Sequence, residues 1–244
     1  MTRVRAGVAA APDAVPLLLL ALALPVGVAV TFGWFTPWFV LPVAALAVLA
    51  LWGLRLREPL PPTWALPAGL ALVAALAWML VHLRLTGEFI AVDRDPAVYA
   101  LTGIWLVDNA SVAVPMTEAA NAALGIDGAR TSALGFGLSA DPLSPEFAHT
   151  LPGVVAVAGW AGGTSAVLAA NVVVGAIALL AVYAMGRRVV GPWWALLPPV
   201  AMGLAMPLVA FSRSTYSEPL SLALGAAGVA ALTAAMTGDP ARQG

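Results

Sequence analysis

The sequence predicts an all-α membrane protein with about six transmembrane helices and a long extracytoplasmic loop that carries amphipathic surface helices. Apolar residues make up 61% of the chain and charged residues only 9%, whereas soluble domains are about 45–50% apolar and about a quarter charged. The mean hydropathy is +0.95. Unbroken apolar runs of roughly 20 residues recur along the chain, and this is the length that crosses a hydrocarbon core of about 30 Å.

The apolar runs define the predicted spans, and the turns between them are polar or rich in proline and glycine. The first run is longer than the apolar core of about 7–15 residues in a signal peptide, so we interpret it as a transmembrane helix. The spans are residues 14–32, 38–54 and 64–83, followed by 164–185, 193–211 and 219–236. The chain thus divides into N-terminal helices (1–85), the long loop (86–162), further helices (163–238) and a cytoplasmic tail (239–244).

The distribution of arginine predicts the orientation of the chain. If the N-terminus is cytoplasmic, the inner side holds Arg3, Arg5, Arg55, Arg57, Arg187, Arg188 and Arg242, and the outer side holds Arg84, Arg94, Arg130 and Arg213 over a much longer stretch. Basic residues concentrate in short cytoplasmic loops. We therefore expect a multi-pass protein of the cell membrane whose loop 86–162 is extracytoplasmic.

Several functional classes are excluded or disfavoured. The chain has no cysteine, which excludes disulfides, thiolate metal sites and cysteine nucleophiles. It has no basic cluster that could hold a nucleic acid backbone, and no Walker, HExxH or GxSxG motif. The spans show neither paired charges nor the broken helices of a transporter. His82, near the outer end of the third span, either has a function or simply reaches water at the interface.

The segment 87–115 carries most of the candidate chemistry, centred on Asp93-Arg94-Asp95-Pro96. Asp95 followed by Pro96 predicts a helix start, because Asp caps a helix and Pro is tolerated at its first position. An apolar stripe follows, so we expect a helix that lies along the membrane surface and ends near 108–109. The stripe consists of Val98, Leu101, Thr102 and Trp105, with Tyr99 and Leu106 beside it.

Acidic residues at headgroup depth on the outer face suit a general base for a transfer reaction. A carboxylate there can take the proton of an acceptor hydroxyl as its oxygen attacks an anomeric carbon. Asp95 and Asp93 are the candidates, and Arg94 is placed to neutralise a phosphate leaving group. A purely structural interpretation stays open, in which Asp95 is a cap, Asp93 is solvated and Arg94 binds lipid phosphate nonspecifically.

The segment Asp95-Pro-Ala-Val-Tyr99 resembles the acidic motif of the GT-C superfamily of integral-membrane glycosyltransferases, which includes protein O-mannosyltransferases and bacterial aminoarabinose transferases. By this resemblance Asp95 is the catalytic acid, Asp93 the runner-up and Tyr99 a substrate-binding residue. The second acid of the family motif is replaced by Pro96. The long loop follows the third span rather than the first, and the chain has fewer spans than most members, so it is either an N-terminal portion of an enzyme or a short homologue.

Other polar residues of the outer side are further candidates. Arg213 is a second phosphate-binding candidate, and Arg130 a weaker one. Glu218 resembles a glutamate in the outer-loop segment of many bacterial members, although a glutamate before a proline also suits a helix start. His149 is a candidate substrate-binding residue. With Asp141 and Glu146 it can also be read as a carboxylate–histidine metal site, although no metal ligand is assigned and a divalent cation stays open.

The resulting expectation is a glycosyltransferase, or its N-terminal module, that uses a polyprenyl-phosphate-linked sugar as donor. The acceptor is a cell-envelope glycan, lipid or protein on the outer face, and membrane lipids are the other partners. Two alternatives come from other classes. One is a non-enzymatic scaffold or partner subunit whose loop docks another protein, and the other, ranked lower, is a transporter.

Overall fold

The computed structural model describes residues 2–55, 60–87, 95–115, 144–145 and 147–237. Every regular element in these ranges is helical. The helices are α1 (Thr2–Phe32), α2 (Pro37–Arg55), α3 (Ala65–Leu83), α4 (Asp95–Asp108), α5 (Thr150–Val190), α6 (Leu197–Leu204), α7 (Met206–Arg213) and α8 (Glu218–Thr237), with 3-10 turns at Pro62–Trp64 and Trp194–Leu196. The expected all-helical class is therefore confirmed for the described part of the chain.

The long helices are those of a membrane-embedded protein. In the described ranges, four are long and apolar enough to cross a bilayer: Arg3–Phe32, Pro62–Leu83, Thr150–Val190 and Glu218–Met236. The pair α6 and α7 adds a fifth if its bent halves form one span. The apolar stretch Pro37–Leu51 of α2 coincides with the second predicted span but is shorter than the others. By length and composition, the described part of the chain therefore holds four or five spans.

Helix α5 is the centre of the bundle, because α1, α3, α4, α6, α7 and α8 all pack against it. Its backbone breaks at Gly163, where φ is +62° and ψ is −155°. Only glycine adopts this conformation readily. The break coincides with the predicted boundary between loop and span, but the residues before it, 150–162, are helical rather than an irregular turn. The two parts are called α5a (150–162) and α5b (164–190).

Helix α4 packs closely against α5a through glycines. A Cβ at Gly159 would lie 2.4 Å from Val107, and a Cβ at Gly103 would lie 2.8 Å from Val155. The covered surface of α4 is wider than the single apolar stripe that the sequence predicts, and its position along a membrane surface stays a prediction. Most of the first three turns of α4 is covered by protein, including Ala97, Ala100 and Gly103, while Leu101 and Trp105 are only half-buried. Small residues allow this close approach without adding to an apolar stripe.

The expectation of unbroken spans is also wrong, because α6 and α7 meet at an angle of 63°. Pro207 explains the bend: its nitrogen has no hydrogen to donate to the carbonyl of Gly203, and its ring clashes with that carbonyl in a straight helix. The Trp78 indole of α3 donates to this same carbonyl at 2.8 Å. The freed backbone group is thus satisfied by a neighbouring helix, as an apolar environment requires.

A buried ionic cluster joins one end of α1 to one end of α5. Asp13 accepts hydrogen bonds from Arg187 and from Arg188, the latter at 2.7 Å. Arg187 also donates to the Ala9 carbonyl at 2.7 Å, and its guanidinium lies 5.4 Å from the centre of the Trp64 ring. We call this the Asp13 end of the bundle. Its arginines were expected in a short cytoplasmic turn, but their side chains are 0% and 7% exposed.

The opposite end carries the start of α4 and is called the Asp95 end. The turn after α1 lies here, with Gly33 at φ +71° and the Phe35 amide donating to the Ala110 carbonyl at 3.0 Å. Phe35 also stacks on Trp160 of α5a, with ring centroids 4.8 Å apart. The corner between α7 and α8 completes this end.

Candidate functional site

The candidate site begins at the first turn of α4. Helix α4 starts at Asp95, as Asp-Pro predicts, and the Asp95 side chain is exposed. Tyr99 follows one turn later on the same side of the helix. Its side chain is only 6% exposed and packs edge-on against Phe147, with ring centroids 5.8 Å apart. The motif that carries the family resemblance therefore has an accessible acid beside a buried phenol.

The corner between α7 and α8, residues 214–217, lies against this turn of α4. Ser217 is a hydrogen-bonding neighbour of the Tyr99 phenol, and Glu218 is close enough to act on it electrostatically. Glu218 is the first residue of α8 and is exposed. The structure thus brings together Asp95, Tyr99 and Glu218, which the sequence predicted separately, and adds Ser217.

The electrostatics of the site centre on Tyr99. Burial raises the pKa of its phenol above the ordinary value of 10.0, and the hydrogen bond with Ser217 partly opposes this. The carboxylates of Asp95 and Glu218 raise the pKa further, because both disfavour the phenolate. Both acids also sit at helix N-termini, where the backbone N–H groups favour negative charge. The site therefore holds a phenol whose ionisation is disfavoured by burial and by two neighbouring acidic residues.

Arg213 ends α7 and ties the corner to the chain that leads to α4. Its side-chain Nε donates to the Leu85 carbonyl, and its own carbonyl accepts from the Gly87 amide at 2.8 Å. Arg213 also lies within electrostatic range of His82, whose ring packs on Trp78 at 4.4 Å. The predicted phosphate-binding arginine is therefore at the Asp95 end of the bundle.

His149 has a structural partner. It immediately precedes α5, and its Nε2 lies 3.2 Å from the Pro145 carbonyl. Across the described ranges, no group of three His, Asp or Glu residues could hold a metal ion. Asp93, Arg94, Arg130, Asp141 and Glu146 lie outside the described residues, so their proposed roles stay predictions.

Two sets of residues were missed by the reasoning from sequence. Asp13 stood in an apolar stretch as an isolated acid, and its pairing with Arg187 bridges 174 residues of sequence. Asn171 lies in a predicted apolar span, yet its side chain is fully buried, and its Nδ2 is within hydrogen-bond distance of three backbone carbonyls at the end of α7 and in the α7–α8 corner. For Asn171 the available signal was a polar residue inside a predicted span, and for Asp13 it was an acid immediately before the first predicted span, 14–32.

Fold and site together define a helical membrane-embedded protein with an acidic, tyrosine-containing site at one end of its bundle. No protein-family model matches the chain, and comparison with curated proteins and with solved structures gives no match either.

Proposed function

We propose that the protein is a membrane glycosyltransferase of the GT-C type, or the N-terminal module of one. It transfers a sugar from a polyprenyl-phosphate donor to a cell-envelope acceptor on the outer face of the cell membrane. In this proposal the chain has six spans, its N-terminus is cytoplasmic and the Asp95 end is extracytoplasmic. The observation that supports it most is the meeting of Asp95 and Tyr99 with Glu218 of a distant helix.

The reaction assigns a role to each of these residues. Asp95, exposed at the start of α4, takes the proton of the acceptor hydroxyl while that oxygen attacks the anomeric carbon. The bond from this carbon to the donor phosphate breaks, and the polyprenyl phosphate leaves as an anion. Arg213 neutralises the phosphate. Tyr99 and Glu218 contact the sugar hydroxyls, and Asp93 and Arg94 assist.

The experiment compares Asp95→Asn with Asp108→Asn in the full reading frame, using hexosyl and pentosyl polyprenyl phosphates as donors. Asp108 is the matched control, because it is an exposed aspartate at the other end of the same helix. Loss of a general base lowers turnover by roughly 10²–10⁴-fold. We expect that loss for Asp95→Asn only. Equal turnover in the two variants would remove Asp95 from the mechanism.

A non-enzymatic partner subunit is the second candidate. It is favoured by the outer face of α8, where Gly225 and Gly228 have open space around them and small residues suit close helix packing. The subunit hypothesis expects an inactive wild-type protein and replaceable acids. A transporter ranks below both. The bent α6–α7 pair is the feature in its favour, but the Gly203 carbonyl freed at the bend is bonded to Trp78.

A further inference from the structure

One buried side chain, that of Asn171, lies among the backbone carbonyls at the end of α7 and in the α7–α8 corner. The last carbonyls of a helix have no partner within the helix. At the end of α7 and in the corner, the carbonyls of Phe211, Ser214 and Tyr216 lie 2.9, 2.6 and 2.9 Å from Nδ2 of Asn171. Asn171 is 0% exposed. Its two N–H hydrogens are therefore shared among three acceptors next to a fully buried side chain.

The next turn of α5b reinforces this attachment. Gly175 lies one turn beyond Asn171, and a Cβ there would be 2.3 Å from the Ser212 hydroxyl. Any larger residue would push the end of α7 away from α5b. The corner is thus held to α5b at two successive turns, by hydrogen bonds at Asn171 and by close packing at Gly175.

The same helix positions the other half of the site. Helix α4, with Asp95 and Tyr99, packs on α5a through Gly103 and Gly159. We propose that Asn171 is a positioning residue, which holds Ser217 and Glu218 against Asp95 and Tyr99 by fixing the corner to α5b. This inference rests on the proposed function for its catalytic meaning, but its structural content can be tested without turnover.

Cysteine labelling tests the attachment directly. The chain has no cysteine, and Thr215 in the corner is 3% exposed, so Thr215→Cys supplies a single protected thiol. With Asn171→Ala in addition, loss of the hydrogen bonds should speed reaction with a membrane-impermeant maleimide by roughly ten- to a hundredfold. Asn171→Asp keeps the volume but removes the donors, and we expect it to act like Ala. Asn171→Ser keeps one donor and should give an intermediate rate.

Asn109→Ala is the matched control, because Asn109 also donates its amide to a backbone carbonyl, that of Trp105, but far from the corner. We expect no change in labelling of Thr215→Cys in that background. Unchanged labelling in both Asn171→Ala and Asn171→Ser would overturn the proposal. If Asn171→Ala does not fold, the Asn171→Ser variant alone tests the proposal. A labelling rate above that of Thr215→Cys alone supports it, and an unchanged rate contradicts it.

A second readout reports on Tyr99 itself. The chain has three tyrosines, so tyrosine labelled with ¹³C at Cζ yields three resonances. Asn171→Ser should shift that of Tyr99, whereas Asn109→Ala should not. If these shifts appear but wild-type protein transfers no sugar, the proposed function fails and the positioning role stands. If wild-type protein is active, Asn171→Ser should raise the donor KM, because the corner positions Glu218, which contacts the sugar in the proposed function. An unmoved Tyr99 resonance in an active protein would contradict the positioning role.

Discussion

Replacing Asp13 by Asn should destabilise the fold more than replacing its partner Arg187 by Met. The substitution removes the carboxylate that both guanidinium groups contact, and the Arg187 side chain is fully buried. Removing one partner of a buried ion pair costs about 3–5 kcal/mol of unfolding free energy. For a chain of this size that corresponds to a fall in Tm of roughly 6–20 °C.

Arg187→Met is expected to be milder, because Asp13 keeps its bond to Arg188 and Met preserves the packing of the long apolar stem. The double variant Asp13→Asn/Arg187→Met should lose less unfolding free energy than the sum of the losses in the two single variants. It contains no guanidinium that is fully buried without a carboxylate, and coupling energies between contacting groups are about 0.5–3 kcal/mol.

Thermal unfolding of the purified protein in nanodiscs, followed by tryptophan fluorescence, measures all three variants. Trp64 lies over Arg187 and is itself one of the reporters. The reasoning is refuted if Asp13→Asn has the Tm of wild type. It is refuted equally if Arg187→Met lowers the Tm more than Asp13→Asn does. We expect the larger loss for Asp13→Asn because one acid binds two arginines.

Two further predictions concern the site and its support. Glu218→Gln should lower the pKa of Tyr99, because it removes a negative charge that disfavours the phenolate. A pH titration of the Tyr99 ¹³Cζ resonance measures this pKa. An unchanged or higher midpoint would show that Glu218 does not act on Tyr99. Gly159→Ala should cost about 1–3 kcal/mol of stability through overpacking against α4. The matched Gly225→Ala, which faces open space, should leave the Tm unchanged or raise it slightly, so equal losses in the two variants would contradict the packing argument.

The sequence predicted the helices better than their contacts. Apolar runs report the length of a lipid-covered segment, so most of the predicted spans coincide with helices of the described chain, and Gly163 breaks α5 near the boundary between loop and span. Asp-Pro marked the start of α4 at Asp95 because capping is a local property. The bend at Pro207 also has a local cause that the sequence contains. It was not predicted because the apolar run was interpreted as one unbroken span.

Contacts between distant residues carry no comparable local signal. The bonds from Asn171 reach residues 40 to 45 positions away, and Asp13 reaches further still. Periodicity placed Trp105 in the apolar stripe of α4 because it weights large apolar side chains, whereas α4 and α5a approach closely at Gly103 and Gly159. The candidate site was thus predicted as separate residues, and only the folded chain shows which of them meet.

The two ends of the bundle should respond independently, although α5 takes part in both. Arg187 lies 16 residues beyond Asn171 on α5b, which is about 24 Å along a helix, and α5b is continuous between them. Coupling between distant sites needs an element whose arrangement both sites bias, and no described contact links the Asp13 cluster to the corner at Asn171. Asp13→Asn should therefore lower the Tm without moving the Tyr99 resonance or the labelling rate of Thr215→Cys at temperatures below unfolding. If either readout changes, α5 couples the ionic cluster to the site, and the site would then be regulated from the opposite end of the bundle.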